Sequence, residues 1–153
     1  MVVDHEGNLY FSHDKFVTKV TPDGKATTWA ATGSPNGHKV LADGSHLICY
    51  ASRHFLLHLD AAGNELRPAA TESDGKPLRS PNDLTLDPSS GGVYFTDPAD
   101  SNAEHPDGAI HYTTGGEPGA LFRLDLPGVK GLTILPPRSV KKGPQPARAK
   151  QVN

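Results

Sequence analysis

The chain has 153 residues, a formal net charge of −2 and one cysteine. This length suits one ordinary globular domain, no apolar stretch is long enough to cross a membrane, and a single cysteine excludes an internal disulfide framework. The 16 glycines and 14 prolines, with few helical patterns, favour a turn-rich β protein.

The N-terminal part of the chain repeats one pattern of short strands. Three segments each contain an apolar run, a turn with Asp or Gly, and a second apolar run: VVDHEGNLYFSH, KVLADGSHLICY and LTLDPSSGGVYFTD. Three later strands align residue by residue, at 17–24, 56–63 and 121–128, and Ala26 to Ala30 adds an outer strand to the first repeat. A polar insert from about Asp97 to Gly119 lengthens the third repeat.

Without the insert the repeat is about 40 residues long, which is the spacing of a β-propeller blade. We therefore predict an all-β fold, a partial β-propeller over residues 1–128, with blades at about 2–33, 34–72 and 80–128. A β-sandwich of unrelated hairpins is the alternative, and it does not require aligned repeats.

Residues 80–98 are predicted to form one β-hairpin around the turn Asp87–Gly92. The alternating apolar positions are Leu84, Leu86, Val93 and Phe95. Because the first strand of a hairpin starts where the second one ends, Asn82 and Asp83 should lie near Asp97. This edge is where we expect the chemistry.

The tetrapeptides Ser34–Gly37 and Ser80–Asp83 open the first strands of blades two and three. Proline fixes φ, and asparagine either caps its own turn or faces outward. Inner strands of a propeller line its central channel, so the carboxamides of Asn36 and Asn82 would converge there. The alternative is that both asparagines only shape their turns.

These segments resemble a known family. Residues 34–59 and 78–98 are similar to the gluconolactonase, senescence-marker-protein and luciferin-regenerating-enzyme family, whose members carry a PNG strand and then a PND strand followed closely by YFTDP. The resemblance covers about residues 2–128. It implies a six-bladed propeller, a divalent cation, most often calcium, at the channel mouth, and hydrolysis of a sugar lactone or related ester.

The resemblance also implies site residues. Asn82 corresponds to the asparagine that faces substrate or metal, so it is the expected metal ligand. Asp83 and Asp97 are the candidate catalytic carboxylates, and Asn36, Asn82 and Arg79 the candidate substrate-binding residues. A turn cap is the alternative role for Asp97, and a solvated loop charge is the alternative for Arg79.

The family's metal-binding glutamate would precede Met1, and its later ligands would follow Gly128. Six blades need roughly 240–300 residues, so the expectation is about three blades of an incomplete copy. The function expected from the resemblance is metal-assisted hydrolysis of a lactone or related ester. The alternative is a non-catalytic propeller fragment or a carbohydrate- or protein-binding module. We expect the isolated chain to hydrolyse gluconolactone no faster than buffer.

An incomplete ring would leave apolar blade faces open. The candidate residues on these faces are Leu9, Phe11, Val20, Phe95, Phe122 and Leu124. We expect either a homodimer or aggregation through them.

Residues 129–153 differ from the rest in composition. They carry six of the 15 Lys and Arg residues and no acid. A disordered, Pro-rich basic tail is predicted. Such a tail is compatible with a polyproline reader, nucleic acid or an anionic membrane, but a solvated tail is the preferred interpretation, so neither nucleic acid nor a membrane is an expected partner.

The segment that begins at Met1 lacks the basic and apolar regions of a secretory signal. We expect a cytoplasmic location for the chain as given, and a secreted or periplasmic one if the N-terminus is truncated.

Overall fold

The computed structural model describes residues 1–73, 75–99 and 108–113, which form antiparallel strands, turns and one short 3₁₀ segment. The strands are β1 (Val2–Val3), β2 (Leu9–His13), β3 (Phe16–Val20), β4 (Ala26–Ala31), β5 (Pro35–Val40), β6 (His46–Tyr50), β7 (Phe55–Leu59), β8 (Glu72–Ser73), β9 (Lys76–Pro77), β10 (Leu84–Leu86), β11 (Val93–Asp97) and β12 (Ala109–Thr113). The all-β prediction is confirmed. No helix in the described residues is long and apolar enough to span a membrane.

The strands form three successive sheets, with orders β1-β2-β3-β4, β5-β6-β7 and β10-β11-β12, and a small β8-β9 pair. The predicted outer strand of the first sheet is confirmed as β4. Two apolar clusters join the sheets. One cluster connects sheets one and two through Tyr10, Val17, Ile48, Leu57 and Leu59. The other connects sheets two and three through Leu47, Cys49, Leu56, Leu84, Val93 and Phe95. This is the face-to-face packing of consecutive propeller blades.

Every residue of β6 is buried. Successive side chains of a strand point to opposite faces, so Ile48 joins the cluster shared with sheet one, while Leu47 and Cys49 join the cluster shared with sheet three. Residues Glu65 and Ala70 bridge to β7 on the outer side of this sheet. The run HLICY is buried on both faces because β6 lies between two neighbouring blades.

Four five-residue turns share one geometry. They are Asp4–Asn8, Thr21–Lys25, Leu41–Ser45 and Asp60–Asn64. In each turn the first N–H donates to the carbonyl of the fifth residue, and the N–H of the fourth, a glycine, donates back to the first carbonyl. The four glycines have φ between +81° and +90°, a region that side chains with a Cβ rarely adopt. This requirement explains the glycine repeated at the fourth position.

The third sheet confirms the predicted hairpin, since Leu84 pairs with Phe95 and Leu86 with Val93. The proposed insert is partly wrong, because its residues 109–113 form β12 and pair with β11. The segment AIHYT is rich in aromatic and β-branched side chains, which suit a pleated surface.

Phe95 was also wrongly assigned to an open face. It is 1% exposed and packs against the second sheet. Three predictions concern residues outside the described ranges. They are the strand at 121–128 with Phe122 and Leu124, the domain boundary at residue 128, and the basic tail.

Candidate functional site

The two Ser-Pro-Asn segments meet at one edge of the sheets. The Gly37 N–H donates a 2.7 Å hydrogen bond to the carbonyl oxygen of Asn82. Ser12 Oγ donates to the carbonyl oxygen of Asn36 at 3.2 Å, so the first sheet reaches the same edge. The pairing of β5 with β6 shifts between Pro35 and His38, where the Asn36–Gly37 pair lies. The inner strands of sheets two and three are thus joined directly.

The close approach of the two segments depends on the glycine at position 37, which has no side chain. A Cβ at Gly37 would lie 2.6 Å from the Cα of Asp83 and 2.8 Å from its Oδ1. Real Cβ atoms essentially never approach backbone so closely. The glycine therefore permits the contact between the strands that carry Asn36 and Asn82.

Asn82 and Asp83 are held by the end of the hairpin. The Asn82 N–H donates to the carbonyl oxygen of Thr96 at 2.9 Å, and the Thr96 N–H donates to the carbonyl oxygen of Asp83 at 2.9 Å. The Asp83 N–H also donates to Thr96 Oγ1 at 3.1 Å. Asp83 Oδ1 accepts the N–H of Leu84 at 2.8 Å. The register therefore places Asn82 and Asp83 beside Thr96 and Asp97, as the hairpin prediction requires.

Asp97 is 5% exposed and holds the preceding loop. Its Oδ2 accepts the N–H of Arg79 at 2.9 Å, and its Oδ1 accepts the N–H of Ser80 at 2.5 Å. His111 Nε2 lies 3.7 Å from Oδ2. Burial by itself raises the pKa of Asp97, but hydrogen bonds from His111 and the two backbone N–H groups outweigh it, so its pKa lies below the usual value.

His111 was missed by the sequence analysis because it lies in the supposed insert. His111 is 6% exposed, and its ring centroid lies 5.0 Å from that of Phe95. Its buried Nδ1 has no hydrogen-bond partner among the described residues. The sequence signal that could have predicted this strand is the period of two in Ala109, His111 and Thr113, which puts these side chains on one face of β12.

The other predicted site residues are more exposed. Asn36 and Arg79 are exposed, and Asn82 and Asp83 are half-buried. Arg79 joins Asp97 through its backbone N–H, and its carbonyl oxygen accepts a short hydrogen bond from His54 Nδ1. The geometry brings all five residues to one edge of the sheets, while their individual roles stay predictions.

A second polar group lies between the first two sheets. His38 and His46 are 4% and 1% exposed, and His38 Nε2 is 2.8 Å from His46 Nδ1. Tyr10 lies against His46 with ring centroids 4.7 Å apart, and its hydroxyl donates to Asp4 Oδ2 at 2.9 Å. Sequence reasoning missed this pair, although His46 occupies the same face of β6 as the buried Ile48.

Burial lowers the pKa of His38 to about 3, with repulsion from His46 as a further cause. Burial likewise lowers the pKa of His46 to about 4, although the charge of Asp4 opposes this. Burial and the hydrogen bond to Asp4 raise the pKa of the Tyr10 hydroxyl. Both histidines are therefore neutral at pH 7.

The comparisons with known proteins agree with the arrangement of the three sheets as consecutive propeller blades. A family model described as the SMP-30/Gluconolactonase/LRE-like region matches residues 1–135. A gluconolactonase from Xanthomonas campestris is 25% identical, with a TM-score of 0.63 over 74% of this chain and 42% of its own. A structure described as a putative gluconolactonase is 24% identical, with a TM-score of 0.56 over 64% of this chain and 37% of its own. A chain of a nidogen/laminin complex is 22% identical, with a TM-score of 0.53, and shows the fold alone.

No curated protein matches the chain in sequence. The chain spans 42% and 37% of the lengths of the two gluconolactonase structures that it matches. The family model covers most of the chain, and the two Ser-Pro-Asn segments meet as neighbouring blades. The chain therefore belongs to the SMP-30/gluconolactonase/LRE-like family and has the fold of its β-propeller blades.

Proposed function

We propose that the edge where Asn36 and Asn82 meet is the substrate end of a lactonase-type propeller, which binds a sugar lactone or a related ester and hydrolyses it. The observation that carries the proposal is the 2.7 Å hydrogen bond between Gly37 N and Asn82 O, which joins both asparagine-bearing segments. Membership of the family and the likeness to a gluconolactonase support this substrate class.

In this reaction water attacks the carbonyl carbon, and the ring oxygen leaves as a hydroxyl after taking up a proton. The carboxamides of Asn36 and Asn82 and the guanidinium of Arg79 would bind the substrate's oxygens. Asp83 is our candidate for the base that accepts the proton of water, because it is half-buried at the edge itself. Both oxygens of Asp97 accept backbone N–H groups, so we give it an anchoring role, and direct catalysis by it stays a prediction.

Asn82 is the residue that we expect to bind calcium. When bound, calcium would polarise the lactone carbonyl. It takes 6–8 oxygen ligands in proteins, and the described residues contain no group of three or more His, Cys, Asp or Glu side chains arranged to hold a metal. Asn82 would supply one oxygen ligand, and the roles given above use protein groups alone.

A second candidate function is a non-catalytic sugar-binding module. The engagement of Asp97 with the backbone of Arg79 and Ser80 favours it, because one of the two predicted catalytic carboxylates is already used for structure. In this case Asn36, Asn82 and Arg79 would bind the sugar and no bond would be cleaved.

Gluconolactone hydrolysis by the purified chain, with and without calcium, tests the proposal. Asn82→Ala removes the central carboxamide. Asn64→Ala is the matched control, because Asn64 lies in an exposed turn where its amide donates to Asp60. Turnover that falls at least about tenfold in Asn82→Ala and is unchanged in Asn64→Ala supports hydrolysis, and a dependence of that turnover on calcium tests Asn82 as a metal ligand. A rate equal to that of buffer, with binding of a lactone analogue that only Asn82→Ala weakens, supports the binding module and contradicts hydrolysis by this chain.

A further inference from the structure

A cavity of about 400 Å³ lies between the first two sheets, at the opposite end of the strands from the candidate site. Strand β5 carries Asn36 near its start and leads into the turn Leu41–Ser45, which forms one wall of the cavity. The turn Asp4–Asn8, which precedes β2, forms another wall. Cavities of roughly 300–1,000 Å³ are the usual size of small-molecule sites, so this one has room for a ligand of the size of a sugar.

The described walls of this cavity are mainly acidic. They contain one lysine, Lys19, and three carboxylates, those of Asp4, Glu6 and Asp43. Both oxygens of Asp4 already accept hydrogen bonds, including one from the Tyr10 hydroxyl. Glu6 Oε1 and Asp43 Oδ2, in contrast, accept none from a described residue, because the bonds of these side chains use the other oxygen. A cleft with an excess of carboxylates attracts a cation.

A nitrogen of a buried imidazole also opens into the cavity. His46 lines the cavity and is 1% exposed, and its Nδ1 lies 2.8 Å from Nε2 of His38. At the far end of this pair, His38 Nδ1 is sealed from solvent and has no hydrogen-bond partner among the described residues. His46 Nε2 also has no partner in this part of the chain, but it is not sealed from solvent. The pair therefore has one open end, and that end faces the cavity.

Hydroxyl groups of a ligand would complement this end of the cavity. Nε2 of a neutral imidazole either donates or accepts a hydrogen bond, depending on which ring of the pair holds the shared proton, and a hydroxyl can do both. The Lys19 ammonium lies 5.5 Å from the centroid of the Tyr10 ring, and the centroids of Tyr10 and His46 are 4.7 Å apart. Lys19 and His46 thus lie around the same ring, and both can bind the hydroxyl groups of one ligand.

An organic cation fits these walls better than a metal ion. The described residues contain no group of three or more His, Cys, Asp or Glu side chains arranged to hold a metal. Calcium takes 6–8 oxygen ligands, whereas an ammonium group has three N–H donors and needs only two or three acceptors. The volume of the cavity also exceeds what a single ion fills.

From this arrangement we infer that the cavity between the first two sheets binds a small organic cation that carries hydroxyl groups, such as an amino sugar. Its ammonium group binds the free carboxylate oxygens of Glu6 and Asp43, and its hydroxyl groups bind His46 Nε2 and Lys19. The site lies at the end of the strands away from Asn36 and does not depend on the proposed hydrolysis. It is therefore a second ligand site of the chain.

Binding of glucosamine to the purified chain tests the inference, at about pH 6.5, where its amine is protonated. Calorimetry measures the affinity, and the imidazole resonances of His46 and the backbone amides of Glu6 and Asp43 report where it binds. Glucose is the matched ligand, because a hydroxyl replaces the ammonium group on the same ring, and calcium chloride supplies a metal cation. We expect saturable shifts at these three residues with glucosamine, and an affinity at least about tenfold lower for glucose and for calcium. Equal affinity for glucose or calcium, no binding of glucosamine, or binding that leaves these resonances unmoved would overturn the inference.

Variants that remove one charge locate the site. Asp43→Asn keeps the Oδ1 that accepts the Ser45 N–H but removes the charge, so it should weaken glucosamine binding about tenfold or more, and Glu6→Gln should weaken it as well. Asp23→Asn is the matched control, because Asp23 also precedes the glycine of a five-residue turn and does not line the cavity. Equal losses in Asp43→Asn and Asp23→Asn, with unchanged unfolding midpoints, would show a general effect of charge and contradict the site. Hydrolysis of gluconolactone is a separate measurement, so the proposed function and this inference can fail independently.

Discussion

The Gly37 N–H and the Asn82 carbonyl oxygen are 2.7 Å apart, and this hydrogen bond crosses between the inner strands of neighbouring blades. The apolar clusters between the sheets are made of side chains. Here the backbones themselves meet, because Gly37 has no Cβ to push Asp83 away. The candidate site is thus built on a contact between two backbones.

We expect Gly37→Ala to destabilise the chain by about 1–3 kcal/mol, because the new methyl group would lie 2.6 Å from the Cα of Asp83. Urea unfolding measures this cost. The control is Gly24→Ala, where a Cβ meets nothing within 4 Å and only the φ of +85° is strained. The amide resonances of Asn82 and Asp83 should move in Gly37→Ala alone. Unmoved resonances there would contradict the direct contact.

The buried pair His38 and His46 predicts a dependence of stability on pH. Their pKa values are about 3 and about 4 in the folded chain, against about 6.5 when unfolded. The unfolded state therefore binds more protons between about pH 4 and pH 6.5, and stability rises with pH in this window. Lowering the pH from 7 to 5 should reduce the free energy of unfolding by about 2–4 kcal/mol.

Urea unfolding at several pH values tests this dependence. The double variant His38→Gln/His46→Gln should have a smaller slope between pH 5 and 7, whatever its absolute stability. His58→Gln is the control, because His58 is half-buried and bonds Ser45. Equal slopes in the double variant and the unchanged chain would show that other groups carry the effect.

Asp97 is predicted to hold the loop before Asn82. Asp97→Asn leaves one acceptor oxygen for two backbone N–H groups, so it should cost about 1–3 kcal/mol. Hydrogen exchange at the amides of Arg79 and Ser80 should accelerate. Asp60→Asn is the control, because Asp60 accepts backbone bonds in an exposed turn, and a smaller change is expected. Unaltered exchange at Arg79 and Ser80 would contradict the anchor.

The free face of the first sheet predicts self-association. Leu9, Phe11 and Val20 lie on the face opposite Tyr10 and are partly exposed. Burying about 400 Å² of such surface would contribute about 10 kcal/mol before association costs. Sedimentation velocity should therefore show larger species as concentration rises. Phe11→Lys should shift the distribution toward monomer.

The matched control for Phe11→Lys is Thr27→Lys, because Thr27 is exposed on the edge strand β4, pairs with Lys19 and therefore lies on the opposite face of the sheet. A monomer at all concentrations, or equal effects of both lysines, would mean that this face does not associate.

Much of the fold follows from local sequence patterns. Alternating apolar residues and turn glycines determined the hairpin at 80–98, because pairing Leu84 with Phe95 is the register that buries both side chains. The same reasoning predicted that Asn82 lies beside Asp97. It failed for residues 109–113, because the segment AIHYT lies within a polar and glycine-rich stretch and its burial depends on pairing with β11.

The roles of individual polar groups depended on the tertiary structure. The sequence by itself determined that Asp97 ends a strand near Asn82, but its contacts with Arg79 and Ser80 come from a loop that approaches from the preceding blade. Likewise, the His38–His46 bond forms because sheet packing removes both rings from water. Strand periodicity is a property of neighbouring residues, whereas the environment of a carboxylate or imidazole depends on which distant segments exclude solvent from it, and only the packed blades decide that.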